Sequence, residues 1–409
     1  MPFLDLVFSG GGTRGVALAG AMEVVQNHRP LPAIRRLVGT SAGAVSATLI
    51  TTGFLTEDFK KMLPAKAGEA FELGSFFAPP KAAIVRDAVR QKDSETRKLL
   101  RGMIDNASDK LVQQLGERRP VLANMLANAV GGGKQGFYDA AFQGFLDHLE
   151  AADNDPNNPH FFRAAFFSLL EFGGLFDPEL FRVWLAERIR AKWSKFTPAT
   201  TFKEFHAMTW IYGNRELSVV VADTTDAKPL VLNQRTAPDC PLVDAVRASM
   251  SLPLVWPEVI WDRKWGPYLG RDISGHTLSD GSILANLGIK YVTDWDDPDV
   301  RQIMGEPDKP PHTVIALLLD ASLPVAGEAA PAEGKPPPKV VSQIIRLFDT
   351  MGAWQHDTYK GKEELICRIP VKGFPALELQ RTQDTVNRLQ TLINSGRCAM
   401  TEYLKKRNI

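Results

Sequence analysis

The sequence predicts a three-layer α/β/α fold, with a mainly parallel central sheet and one helical insertion. Three observations carry this. The first 60 residues alternate strand, helix, strand, helix at a spacing that calls for right-handed crossovers. Both of those strands run into glycine-rich turns. Residues 80–172 then change texture, becoming rich in Ala, Leu, Lys, Arg and Gln with few strand signals. We read 1–409 as a single domain with its core at 3–75 and 173–320, completed by 339–409. In that scheme 80–172 is a helical insertion or lid, and 324–338 is an exposed linker rich in Ala, Pro, Glu and Gly.

The elements follow in order. Leu4–Phe8 (LDLVF) is a short apolar run that stops at a glycine cluster, so it reads as a buried strand. From Gly15 onward Leu18, Ala21, Met22 and Val25 recur at i, i+3, i+4 and i+7, which is a helix ended by Pro30 and Pro32. Residues 34–38 form a second strand, followed by a tight turn and a helix through Leu49 and Ile50, with Gly53 as its C-terminal cap. Within the insertion, 131–136 (GGGKQG) and 153–159 (DNDPNNP) read as loops. Residues 160–176 are strongly apolar: Phe162, Ala165, Phe166 and Leu169 share one helical face, while Phe161, Phe167 and Leu170 cover others. Such a helix is either packed in protein, as a lid or core element, or in contact with lipid. Trp256, Trp261 and Trp265 are either pocket wall or core. The mixed-charge stretch 86–119 reads as a solvated helical face. Further strands are expected at 217–222 (LSVVVA), 230–233, 313–319 (TVIALLL) and 365–369, with helices at 340–359 and about 382–405.

Composition limits the function. The 409 residues carry 48 basic and 47 acidic side chains, a net charge of +1, which argues against a polyanion binder working by bulk charge; no nucleic-acid partner is expected. At 44% hydrophobic and 23% charged, the chain is ordinary for a globular protein rather than a disordered one. Cys240, Cys367 and Cys398 are far apart and supply neither a disulfide framework nor a paired-cysteine zinc site. No apolar run reaches the roughly 18–20 residues of a spanning helix. The first residues, MPFLDLVFSGGG, lack the features of a Sec signal. We therefore expect a cytoplasmic protein, peripheral at membranes, for which a Sec-independent secretion route is open.

Two glycine motifs carry chemistry. Gly39-Thr40-Ser41-Ala42-Gly43 is G-x-S-x-G between a strand and a helix, the context of a nucleophile elbow. Small flanking residues let strand and helix approach, and the helix N-terminus behind Ser41 favours negative charge. The alternative is a tight turn with an inert serine. Gly10-Gly11-Gly12-Thr13-Arg14-Gly15 fits G-x-G-x-x-G. A dinucleotide site would need an acidic residue near the end of the second strand. None occurs between Glu23 and Glu57, so that reading fails. An anion nest, here an oxyanion hole for acyl transfer, fits better. Arg14 is left between orienting the loop, binding a phosphate and a surface ion pair. A serine needs a base. None of the seven histidines (His28, His148, His160, His206, His276, His312, His356) sits in a recognisable triad context. Asp280, in Ser279-Asp280-Gly281-Ser282, closes a short strand; alone it reads as a turn residue, and it would serve as a base only if buried and facing a serine.

Together these signals resemble the patatin-like phospholipase family, which orders a G-G-G-x-R/K-G loop, a G-x-S-x-G elbow and a D-G-A/G motif. Residues 175–184 (LFDPELFRVW), 201–205 and 244–259 (DAVRASMSLPLVWPEV) are similar to further family segments, as is the terminal helix. Residues 80–172 are not covered. The resemblance implies a Ser–Asp dyad without histidine: Ser41 as nucleophile, Asp280 as base and Gly281 beside it in the third motif. It implies an oxyanion hole from Gly10, Gly11, Gly12, Arg14 and Gly15, with Gly39 and Gly43 shaping the elbow. Ser282 stands where the family has Ala or Gly, and Leu287 where Pro is common. The implied activity is a phospholipase A-type lipid acyl hydrolase needing no cofactor or metal, with a phospholipid or other acyl lipid as partner. Esterase or thioesterase action on a soluble acyl substrate, or a non-catalytic lipid-binding module, are the alternatives. Oligomeric state and any activator are left open.

Overall fold

A computed structural model describes residues 3–28, 33–62, 76, 78–116, 159–209, 215–325, 360–377 and 383–408, with isolated positions between 343 and 359. The loops expected at 131–136 and 153–159, most of the linker at 324–338 and most of the helix at 340–359 lie outside the described residues.

Among the described residues the sheet has eight strands: β1 (Leu4–Phe8), β2 (Ile34–Thr40), β3 (Glu216–Asp223), β4 (Lys228–Leu232), β5 (Val259–Ile260), β6 (Thr277–Asp280), β7 (Thr313–Pro324) and β8 (Ile366–Lys372). The order is β5-β6-β3-β2-β1-β7-β8, with β4 also on β3. The run β3-β2-β1-β7-β8 is parallel, whereas β4, β5 and β6 are added antiparallel. The helices among the described residues are α1 (Val16–His28), α2 (Ala42–Thr51), α3 (Thr56–Lys61), α4 (Ala82–Arg90), α5 (Glu95–Gly116), α6 (Pro159–Phe172), α7 (Pro178–Lys192), α8 (Phe202–Thr209), α9 (Leu242–Met250), α10 (Pro298–Met304) and α11 (Gln383–Arg407).

β1 lies between β2 and β7 and is buried along its whole length, which is why it reads as a continuous apolar run. Its one charged residue, Asp5, accepts hydrogen bonds from the Arg36 amide (3.2 Å) and pairs with His312 Nδ1 (2.7 Å). α2 ends as expected at Gly53. The Gly53 and Phe54 amides donate to the Ile50 and Leu49 carbonyls, and Gly53 takes φ 92°, a Schellman closure.

α1 and α11 cross through glycines. A Cβ on Gly20 would stand 1.9 Å from the Ile393 carbonyl oxygen, and one on Gly396 1.9 Å from that of Ala17. Each helix therefore seats its backbone where the other has no side chain.

The chain divides into two compact units, one of residues 1–76, 178–253 and 258–409, the other of residues 77–177 and 254–257. In the second unit, Val85 and Val89 of α4 pack with Phe167 and Phe172 of α6. The apolar face expected on α6 splits: Ala164, Ala165 and Ser168 are buried, while Phe166 is about half exposed. Phe161 and Phe162 lie outside the residues whose side chains are described. Trp256 and Trp261 are buried.

Candidate active site

β2 ends at Thr40 and α2 begins at Ala42, so Ser41 alone makes the turn. It sits at φ 53°, ψ −122°, a sparsely populated conformation for a non-glycine residue. The neighbours make the turn feasible. A Cβ on Gly39 would lie 2.4 Å from the Gly43 carbonyl, and one on Gly43 2.4 Å from the Phe8 carbonyl. The Ser41 carbonyl accepts the Ala44 amide (2.8 Å) and the Val45 amide (3.2 Å), starting α2. Its amide donates to Ser249 Oγ (2.8 Å), which donates to the Val220 carbonyl (2.6 Å). The turn is thus tied to α9 and β3, and the side chain makes no capping bond to α2.

Strand register explains what the hydroxyl meets. On one edge of β3, Val219 and Val221 pair with Leu232 and Leu230 of β4. On the other edge, Gly39 and Thr40 pair with Val219 and Val220, and Asp280 pairs with Val221. β2 and β6 therefore share one edge of β3, approaching each other from opposite directions. The residue after Thr40 and the last residue of β6 meet, and Ser41 Oγ donates to Asp280 Oδ2 at 2.7 Å. Gly281 permits the approach, since a Cβ there would lie 2.3 Å from the Val220 carbonyl.

Asp280 is 1% exposed. Burial pushes its carboxyl up to about 6, against the opposing pull of hydrogen bonds from the Ser282 amide, the Ser282 hydroxyl and Ser41. Oδ1 accepts the Ser282 amide (2.8 Å) and hydroxyl (2.7 Å). The Asp280 amide and the Ser279 hydroxyl both donate to the Ser251 carbonyl (2.9 and 2.7 Å). A hydroxyl held on a buried carboxylate that titrates near neutrality is the arrangement a proton acceptor for a serine needs.

The glycine loop stands beside Ser41. A Cβ on Gly10 would lie 3.1 Å from Ser41 Cβ and 2.8 Å from Asn286 Oδ1, so no side chain fits there. The Gly10 amide donates to the Asn286 carbonyl (3.2 Å). The amides of Gly11 and Gly12 have no hydrogen-bond partner among the described residues. Gly12 takes φ 59°, and a Cβ there would meet the Ala376 carbonyl at 2.0 Å. The Thr13 amide donates to that carbonyl (2.8 Å), and Arg14, buried, donates through Nε to the Phe374 carbonyl (2.7 Å). Arg14 is thus a tie between the loop and residue 374. Gly15 packs on Ala42, where a Cβ would come within 2.8 Å.

Sequence reasoning missed Ser249 and Ser251 as individual partners, although both lie in a segment it singled out. It also missed Asn286 and Gln355. Gln355 Oε1 accepts the Asn286 amide (2.6 Å), and its Nε2 donates to the Ser282 and Ile283 carbonyls (2.9 and 3.2 Å). No local signal marks it.

The described histidines are engaged elsewhere where their partners are known: His312 with Asp5 and Asp308, His276 with Asp223. His356 lies outside the described residues. Among the described residues, Asp223, Asp226 and His276 could bring metal-ligating atoms within 4.8 Å of one another. Among the described residues Asp226 pairs with Arg271 (2.6 Å), and Asp223 lies 2.8 Å from His276 Nδ1 and accepts the Thr225 amide (3.0 Å).

The family's profile, patatin-like phospholipase, matches residues 6–293, and the chain belongs to that family. The uncharacterized protein YqhO of Bacillus subtilis (strain 168) is 40% identical over 67 residues, 16% of this chain and 22% of that protein. Among solved structures, VipD from Legionella pneumophila aligns with TM-score 0.41 and 15% identity, over 99% of this chain and 67% of that one. ExoU, in complex with SpcU from the type III secretion system of Pseudomonas aeruginosa, aligns with TM-score 0.38 and 15% identity, over 99% and 53%. The chain thus spans about a fifth of YqhO, two thirds of VipD and half of the ExoU chain.

Proposed function

We propose that this chain, as a member of a lipid-hydrolase family, cleaves fatty-acyl esters of phospholipids through Ser41 and Asp280. The supporting observation is the 2.7 Å hydrogen bond from Ser41 Oγ to a buried carboxylate. Asp280 Oδ2 takes the hydroxyl proton while Oγ bonds to the ester carbonyl carbon. The carbonyl oxygen becomes an oxyanion. The Gly11 and Gly12 amides, unspent among the described residues, are the proposed donors to it. The Gly10 amide, held by Asn286, shapes the loop instead. The intermediate collapses, the lysophospholipid alkoxide leaves, and it recovers the proton from Asp280. Water then attacks the acyl-Ser41 ester, gives a proton to Asp280, and the fatty acid departs as Ser41 is reprotonated.

No helix among the described residues is long and apolar enough to cross a membrane. The proposal has the enzyme meet its lipid at the bilayer surface.

Mass spectrometry of products from mixed phospholipid vesicles tests this. Wild type should release free fatty acid and lysophospholipid, and folded Ser41→Ala should release none. Fatty-acid release by Ser41→Ala would remove the serine from the mechanism. Cleavage of soluble esters or thioesters with intact vesicles would move the substrate to the soluble class. No turnover and no labelling by a serine-directed fluorophosphonate would leave a lipid-binding module.

A further inference from the structure

We propose that Ser282 is a positioning residue for Asp280, whose hydroxyl keeps the carboxylate ionised and turned toward Ser41. The inference rests on the reading of Ser41 and Asp280 as a dyad. Ser282 stands where the resemblance leads one to expect Ala or Gly, so its hydroxyl is a feature of this chain.

The geometry divides the carboxylate in two. Oδ2 accepts Ser41, and Oδ1 accepts both donors of Ser282, at 2.8 and 2.7 Å. Any residue but proline supplies the amide at position 282; only a side-chain donor supplies the second bond. With Oδ1 doubly engaged, rotation of the carboxylate away from Ser41 breaks two hydrogen bonds. Ser282 is itself held, its carbonyl accepting Gln355 Nε2 at 2.9 Å.

The hydroxyl also acts on ionisation. Burial favours the protonated acid, which cannot accept a proton from Ser41. Hydrogen bonds to the ionised form oppose burial, and those from Ser282 and Ser41 are the opposing influences on Asp280. The charged groups on the elements around Asp280 include Arg35 and Arg36 on β2, Glu216 and Asp223 on β3, Asp244 and Arg247 on α9, and Arg14 beyond the glycine loop. Glu216 pairs with Arg235, Asp223 with His276, Asp244 with Arg182, and Arg14 with the Phe374 carbonyl. The influences that oppose burial at Asp280 are the Ser282 amide, the Ser282 hydroxyl and the Ser41 hydroxyl.

Ser282→Ala removes one oxygen and keeps the amide bond. Two readouts test it: the pH dependence of kcat with a phospholipid, and the pH titration of the Asp280 carboxyl carbon by ¹³C NMR, assigned by its loss in Asp280→Asn. In Ser282→Ala both midpoints should rise by about one pH unit. The ratio of kcat at pH 6 to kcat at pH 8 should fall by several-fold. A purely structural role would lower kcat at every pH without moving the midpoint, and that result, or an unmoved NMR titration, overturns the proposal. Ser282→Gly should repeat the shift and serves if the alanine variant misfolds. If wild type hydrolyses no lipid but the NMR midpoint moves, the Ser282 inference stands and the lipase reading falls. If lipid is hydrolysed and neither midpoint moves, the reverse holds.

Discussion

Asp280→Asn should lose about 10²–10⁴-fold of its fatty-acyl turnover while resisting denaturation better than wild type at neutral pH. The asparagine keeps the size of the carboxylate, and its carbonyl can still accept the two donors of Ser282 now on Oδ1. Toward Ser41 it then presents an N–H group, which cannot take a proton. The stability gain comes from the same burial that suits Asp280 to its proposed role as base. Its carboxyl sits at about 6 in the folded chain against an ordinary value of 3.8. A raised acid keeps its proton in the folded state over a window where the unfolded chain has released it. Its contribution to stability is thus full below about pH 4 and is lost as pH rises through 6. The loss is of the order of 3 kcal/mol. The asparagine variant has no such titration. Urea midpoints for both proteins at pH 4.5 and pH 8 should show the variant gaining on wild type between the two. A difference that does not vary with pH would mean that Asp280 ionises as freely folded as unfolded.

Gly396→Ala should destabilise the protein although alanine is the better helix former. Helix propensity alone favours the change by about 1 kcal/mol. The added methyl, however, would stand 1.9 Å from the Ala17 carbonyl, a backbone atom that cannot rotate away. The two helices must separate, and overpacking of this kind costs about 1–3 kcal/mol, occasionally more. The net result should be a fall of several degrees in Tm. Gly20→Ala makes the reciprocal clash with the Ile393 carbonyl, so the double variant should lose less than the two single losses combined. Gly102→Ala is the control. It lies inside α5 with nothing within 4 Å of the added carbon, and it should be neutral or stabilising. A destabilised Gly102→Ala beside an unchanged Gly396→Ala would contradict the crossing.

The strand–turn–helix units at 4–28 and 34–51 were legible because they are local. Apolar runs, glycine turns and a 3.6-residue period are all written within 30 residues. The additions to the parallel sheet were not. β6 is four residues long with a single large apolar side chain, Leu278, and it is a strand only because β3 offers an open edge beyond Thr40. The pairing of Ser41 with Asp280 spans 239 positions, and an Asp-Gly dipeptide in isolation reads as a turn. It became visible through three motifs in a family's order. Arg14 shows the limit of motif reading. Its type and place left orienting the loop, binding a phosphate and a surface ion pair all open, and the Nε bond to a carbonyl 360 residues away is not written in the motif. Gln355 shows the limit of pattern reading, because a single buried amide that ties three backbone groups has no periodicity to find.

The order of synthesis gives the glycine loop one more property. Every motif residue has left the ribosome's catalytic centre once Ser282 has been added. The carbonyls of Phe374, Pro375 and Ala376, which hold Thr13 and Arg14, do not yet exist, nor does Gln355. Synthesis as far as residue 350 therefore supplies Ser41, Asp280, the glycines and the Asn286 carbonyl that holds Gly10, but not the carbonyls that hold Thr13 and Arg14. Translation itself delays completion of the proposed active site until these carbonyls have been added.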